Sequence, residues 1–336
     1  MKKLALFILL ISILTLAACS DSGTDNADSK EDSSKIQVFT TVYPITYFTE
    51  RIGGDQVEVE SVYPAGANEH TFEPTQQDMI AIAEADLMFY IGLGLEGFID
   101  SAKNTLDGED VEFTALADSI TDEQLEAALE HDGEEEAHDD EHEVHEDHEE
   151  HAEEADHEGH DHGSTDPHIW MSPKLSQELA TSIKDSLIAE DPGNTEVYET
   201  NHTQLIEELE QLDESFSHLG ERVSKDTFFV SHAAFTYLAE PYGFEQVAVA
   251  GLNSQDEPSQ KELTEIVDMA REKNIEYIVF EQNVSSNLTE VVQKEVGAEA
   301  VQMHNLGVLT QEDIDNGETY FTLMERNLEV LETILK

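Results

Sequence analysis

The hydrophobic positions of this chain fall into short runs of strand length, separated by stretches with helical spacing. Ile36-Gln37-Val38-Phe39-Thr40-Thr41 has the β-branched and aromatic content of a strand, and Tyr43-Pro44 opens a helical stretch towards Arg51 that Gly53-Gly54 ends. Val57 to Val62 alternates with the period of a half-buried strand. After the loop Pro64 to His70, a helix is predicted from Pro74 with Met79, Ile80, Ile82 and Ala83 on its apolar face. Leu87-Met88-Phe89-Tyr90-Ile91 is apolar throughout, as in a strand covered on both sides, and Val111 to Leu116 is a further strand candidate. The same rhythm returns in the second half. Strands are predicted over Thr227 to Ser231, Gln246 to Ala250, Ile275 to Phe280 and Ala300 to Met303. Helices are predicted over Ala233 to Glu240, Pro258 to Lys273, Leu288 to Val296 and Tyr320 to Leu335.

Alternating strands and helices predict an α/β fold with two lobes, each a mainly parallel sheet flanked by helices. Between the lobes Leu175, Leu179, Ile183 and Leu187 recur at fours. Asp191-Pro192-Gly193-Asn194 marks a break, after which Tyr198, Leu205, Leu209, Leu212, Phe216 and Leu219 continue to Gly220. Two helices, or one kinked helix, would join the lobes stiffly. The expected order is residues 36–172 as the first lobe, 173–222 as connecting helices and 223–336 as the second lobe.

Two segments break the pattern. Lys2 and Lys3 precede an apolar run, Leu4 to Leu16, that is short of the about 20 residues of a membrane-spanning helix. It reads as an export signal over residues 1–19 and is set apart from the fold. Residues 20–35, rich in Ser, Asp and Gly, read as a flexible tether. The second segment, 131–163, is so rich in His, Glu and Asp that it lacks the apolar residues to offset the entropy of ordering, and it is expected as a disordered loop. Much of the formal net charge of −60 sits there. That balance excludes non-specific binding to nucleic acid or anionic lipid through a basic surface.

Candidate chemistry rests on histidine. His70, His232 and Glu281 each fall at or just after the end of a predicted strand, the edge at which open α/β sheets bind ligands. His168, in Asp166-Pro167-His168-Ile169-Trp170, stands at the entrance to the connecting helices, where two such edges could face each other. Imidazole nitrogens with one carboxylate form a borderline ligand set that suits zinc. His304 follows a strand and is a possible substitute for the fourth ligand, whereas His202 and His218 read as solvated positions on the connecting helices. The loop carries His131, His138, His142, His145, His148, His151, His157, His160 and His162, nine of the fifteen histidines of the chain. Such a run is expected to bind several transition ions weakly and reversibly, less so as pH falls towards the His pKa of about 6.5.

Two sets of motifs carry a resemblance. Leu16-Ala17-Ala18-Cys19 resembles the bacterial lipobox, which implies that Cys19, the only cysteine, becomes a lipidated first residue. Gly66 to Thr75, Gly92-Leu93-Gly94-Leu95-Glu96, Asp166 to Trp170, Phe229 to Phe235, Glu257-Pro258-Ser259 and Phe280 to Asn283 occur in the order found in one family. Together they resemble the metal-specific solute-binding lipoproteins of bacterial ABC importers, in particular the zinc branch. The resemblance implies a rigid helix between two α/β lobes, a metal in the cleft and a His-rich loop above it. It implies His70, His168 and His232 as ligands, with Glu281 at a fourth position that varies among relatives. In manganese-binding relatives the third position is typically Glu; here it is His232. Glu69 is expected at the rim of the cleft.

The function expected is that of an extracytoplasmic, lipid-anchored receptor, monomeric, that captures Zn2+ and hands it to an ABC permease with its ATPase. Nucleic acid is not an expected partner. A manganese receptor or surface adhesin is the alternative within the same class. A zinc hydrolase, the alternative from another class, would need a general base beside the metal, and no His-Glu-x-x-His signature supports it.

Overall fold

The computed structural model describes residues 35–130, 165–283 and 286–336. The segment 1–34, with Cys19, and the histidines from His131 to His162 lie outside the described residues.

Two four-stranded parallel sheets organise the chain. The first contains β1 (Ile36–Thr40), β2 (Val57–Ser61), β3 (Leu87–Tyr90) and β4 (Glu112–Ala115) in the order β2-β1-β3-β4. In the second, β5 (Thr227–His232), β6 (Glu245–Ala250), β7 (Tyr277–Glu281) and β8 (Glu299–Met303) repeat that order as β6-β5-β7-β8. The chain leaves β1 and β5 to one side and later returns on the other, so each sheet has a switch point at the carboxyl ends of its central pair, where α/β folds form ligand crevices. Val230 pairs with Val279, so His232 and Glu281, two residues further on, reach the edge of the second sheet side by side.

The first lobe carries helices α1 (Tyr43–Gly53), α2 (Gln76–Ala83), α3 (Ile99–Thr105) and α4 (Asp122–Ala127). Pro44 sits in the first turn of α1, where its missing N–H costs nothing, and a reciprocal Thr75–Asp78 capping box starts α2. The connection is a helical hairpin of α5 (Pro173–Glu190) and α6 (Thr195–Gly220), reversed at Asp191 to Asn194. Ser172 caps α5 by accepting from the Leu175 amide, and Pro173 fixes its first turn. The 26 residues of α6 span about 39 Å. This helix binds the first lobe through Asn201 to the Ile52 carbonyl and the second through Tyr242 to Asp213. The second lobe adds α7 (Thr236–Ala239), α8 (Gln260–Glu272), α9 (Asn287–Val296), α10 (Gln311–Asn316) and α11 (Tyr320–Ile334).

Three features depart from the sequence reading. The short helices α4 and α10 lack a hydrophobic stripe and exist through capping boxes at Thr121 and Thr310. His202 is half-buried between α5 and α6, with Nε2 3.1 Å from Thr181 Oγ1, while His218 is exposed as expected. The lobes also share a single hydrophobic core. It runs from Val38 and Phe89 through Trp170, Leu179 and Phe216 to Tyr320 and Leu335, and only a smaller cluster around Phe229, Val267 and Val292 lies apart. Backbone bonds from Tyr43 N–H to the Gly307 carbonyl and from Gly66 N–H to the Leu309 carbonyl, both 2.9 Å, tie the lobes directly.

Candidate metal centre

Three histidines from three segments converge. His70 lies in the loop after β2, where its amide donates to Asn68 Oδ1. His168 precedes the short helical turn Ile169–Met171 that leads into α5, and His232 ends β5. His168 and His232 are fully buried and His70 is partly so. Among the described residues these three form a group whose ligand atoms lie within 4.8 Å of one another.

The Nε2 atoms are the ones that meet. His168 Nε2 is 3.3 Å from His70 Nε2 and 3.4 Å from His232 Nε2. Zinc–imidazole bonds of about 2.0–2.1 Å in a tetrahedron put ligand nitrogens about 3.3–3.4 Å apart. The two spacings therefore match edges of a zinc tetrahedron. Each buried ring is oriented from behind. Asp166 Oδ1 accepts from the His168 backbone N–H at 2.9 Å and lies 2.8 Å from its Nδ1, which leaves Nε2 as the lone-pair nitrogen. Glu281 Oε2 lies 2.6 Å from His232 Nδ1.

The protonation pattern follows from burial and charge. Burial, with His168 and His232 nearby, pushes His70 down to about 3, so it stays neutral through the physiological range. Burial also opposes charge on His232, but Glu281, Glu69 and Asp166 outweigh it and raise the pKa. Desolvation works against the charged form of Glu281 and Asp166, yet the facing histidines and their hydrogen bonds hold both carboxyls below their ordinary values. Desolvation wins at Glu69, which is raised.

Glu281, expected as a fourth ligand, stands outside the group of three in this arrangement. Its Oε1 accepts from Ser231 Oγ at 2.6 Å and from the His232 amide at 3.1 Å, and its Oε2 from Asn305 Nδ2 at 3.1 Å. The strand register that sets it beside His232 also turns it onto that residue's Nδ1 side. His304, the possible substitute, is turned elsewhere. Its Nδ1 accepts from the Leu306 amide and its Nε2 meets Asp313, beside a cavity of about 650 Å³ that includes Gln302 and Arg326. Glu69, expected at the rim, is 3% exposed. Its Oε1 accepts from Asn305 Nδ2 at 3.0 Å, and Gly307 leaves it room, since a Cβ there would stand 2.6 Å from that oxygen.

Asn305 and the orienting role of Asp166 escaped the sequence reading. Nothing in a single sequence marks an asparagine that meets its partners from three other segments. Asp166, two residues before a ligand candidate, was within reach, because a carboxylate at that offset can return to the ring.

The profile of the family described as zinc-uptake complex component A, periplasmic (ZnuA) matches residues 38–334. The chain belongs to this family. Its relatives include the zinc-binding lipoprotein AdcA of Streptococcus pneumoniae, 34% identical over 98% of this chain and 60% of AdcA. The chain thus spans about 60% of the length of that relative. The high-affinity zinc uptake system protein ZnuA of Bacillus subtilis is 34% identical over 99% of this chain and 98% of its own. Among solved structures, the Zn(II)-bound ZnuA-like domain of the pneumococcal AdcA superposes with a TM-score of 0.68 at 30% identity, covering 90% of this chain and 99% of that domain. The laminin-binding protein Lmb of Streptococcus agalactiae, described as having adhesin and metal transporting activity, gives 0.71 at 27% identity over 90% of this chain and all of its own. The family's description names a component of zinc uptake.

Proposed function

We propose that this ZnuA-family chain is a zinc receptor of an importer: it captures Zn2+ at His70, His168 and His232 and hands it to an ABC permease driven by an ATPase. The spacing of the three Nε2 atoms carries the reading. Three imidazole nitrogens favour Zn2+ over Mn2+, which prefers oxygen donors and more of them. Glu281, the fourth candidate, keeps Oε2 2.6 Å from His232 Nδ1 and in this arrangement backs the three-nitrogen site rather than bonding the ion. Asp166 and Glu281 add charge and fix the ring orientations. The names of the relatives as lipoproteins, with the Leu16 to Cys19 motif, support attachment through Cys19 on the outer face of the membrane. The histidines between 131 and 162 gather ions near the cleft and raise their local concentration.

Metal analysis of the loaded protein, followed by competition between Zn2+ and Mn2+, tests this. One tightly held Zn2+, lost in His168→Ala and His232→Ala, is expected. Preferential Mn2+ retention, or Zn2+ retained by both variants, would overturn the assignment. The likeness to Lmb supports a second reading, adhesion to laminin. A pull-down of immobilised laminin with zinc-loaded protein decides it.

A further inference from the structure

The carboxyl group of Asp166 is only half used. Its Oδ1 accepts from both the backbone N–H and the ring Nδ1–H of His168, which fills the two acceptor positions of that oxygen. Its Oδ2 is buried and has no hydrogen-bond partner. A carboxylate oxygen shut away from water without a donor carries an unmet desolvation cost, so the groups beside it matter.

Helix α7 of the second lobe packs against the turn Ile169–Met171 that follows His168. Thr236 opens this helix, and its side chain lies close enough to Asp166 to help hold the carboxyl below its ordinary value. The hydroxyl is also prepared to donate. Gln246 Oε1 accepts from the Phe235 amide at 3.0 Å, which fixes the carboxamide so that Nε2 donates to Thr236 Oγ1. A hydroxyl oxygen that accepts in this way keeps its own proton to give, and the open Oδ2 is the buried acceptor beside it. Tyr237, the next residue, senses Asp166 through its charge alone.

We infer that Thr236 is a positioning residue for His168: by donating to Asp166 Oδ2 it fixes the plane of the carboxylate that aims the His168 ring. This rests on the zinc-receptor reading above. A carboxylate engaged at one oxygen can pivot about that contact, and the ring it steers pivots with it; a donor on the second oxygen removes that freedom. The arrangement also links two proposed ligands. His232 ends β5 and Thr236 stands four residues further on, so the segment that supplies one histidine braces another, which enters from the connecting hairpin.

The experiment measures Zn2+ affinity of the full chain in Thr236→Val, which removes the hydroxyl, and Thr236→Ser, which keeps it. Thr236→Ala replaces Thr236→Val if the latter does not fold. Loss of the hydroxyl should weaken Zn2+ binding about tenfold, and Thr236→Ser and Tyr237→Phe should bind as the wild type does. In an Asp166→Ala background, removal of the hydroxyl should have no further effect. The His168 Nδ1–H resonance of the metal-free protein labelled with 15N-histidine, identified by its absence in His168→Ala, should shift in Thr236→Val and return in Thr236→Ser. Undiminished affinity without the hydroxyl, an unmoved resonance, no rescue by Ser, the same loss without Asp166, or an equal loss in Tyr237→Phe would each overturn the inference while leaving the zinc-receptor reading intact. A wild type without tight Zn2+ binding would overturn both.

Discussion

The indole of Trp170 donates from Nε1 to the backbone carbonyl of Asn305 at 2.7 Å, joining the segment that carries His168 to the turn that carries the amide between Glu69 and Glu281. The Trp170 ring also stands 5.3 Å from the His168 ring, edge to face. The only tryptophan of the chain thus touches one proposed ligand directly and the carboxylates through one residue. Its emission is expected to change on Zn2+ binding and to respond less in His168→Ala. An unchanged spectrum with zinc demonstrably bound would contradict this placement. Trp170→Phe should cost about 1–3 kcal/mol of stability, read by urea unfolding, because it leaves the Asn305 carbonyl unpaired in the interior.

The three histidines should separate when each is replaced. All three alanine variants are expected to lose tight zinc binding by calorimetry. Metal-free His70→Ala should keep its melting temperature, since that ring sits on a partly exposed loop and neutral imidazole is all it offers. His232→Ala leaves Glu281 buried without its facing ring and should lower metal-free stability by about 3 kcal/mol. Equal melting temperatures for these two variants would count against the buried pair.

Metal capture and metal-free stability should respond to pH in opposite directions. His232 must be neutral to bind, and its pKa is raised by Glu281, so zinc affinity should fall as pH drops through a value above about 6.5. His70, at about 3, adds nothing to that fall in the physiological range. For the metal-free protein the raised His232 pKa contributes stability that is fully present below about 6.5 and lost as pH rises through the folded-state value. Melting curves between pH 6 and 9, with chelator and with zinc, should therefore diverge. Parallel curves would contradict the His232–Glu281 linkage.

Across the mouth of the site, Asn68 Nδ2 donates to Ser254 Oγ at 2.9 Å, while Asn68 Oδ1 holds the His70 amide. Ser254→Ala removes the bridge and leaves the His70 contact in place. Stopped-flow transfer of zinc to a chelator should become several-fold faster, with the unfolding transition unchanged.

Deleting residues 131–162 should leave the tight site at full stoichiometry and remove only weak additional binding in a calorimetric titration. Loss of the tight site would reassign its ligands to that segment.

The sequence exposed the parts of this structure that depend on local order. The alternating runs located the eight strands of the described residues within one or two residues, and the placement of His70, His168 and His232 after strands or at the hairpin entrance marked them as a set. Contacts made at long range stayed hidden. Glu69 resembles a surface residue in its own segment, and only the arrival of Asn305 and Gly307 from 236 or more residues away buries it. The closeness of Glu281 to His232 was legible, since both end predicted strands. The hold of Ser231 and Asn305 on its two oxygens was not, because it depends on which strands become neighbours. The shared core escaped for the same reason: hydrophobic periodicity shows that a helix has a buried face, not which lobe covers it.

That shared core bears on how an ion could be surrendered. Swinging one lobe away from the other would expose Trp170, Phe216 and Tyr320 together and break the backbone bonds at Gly307 and Leu309, all to move one small cation. Loosening the rim at His70, Asn68 and Ser254 disturbs one partly exposed ring and a few polar contacts. The scaffold therefore works as a stiff body with a small door. A permease that takes the ion need only disturb the door, and the work required is that of local loosening rather than of parting two domains.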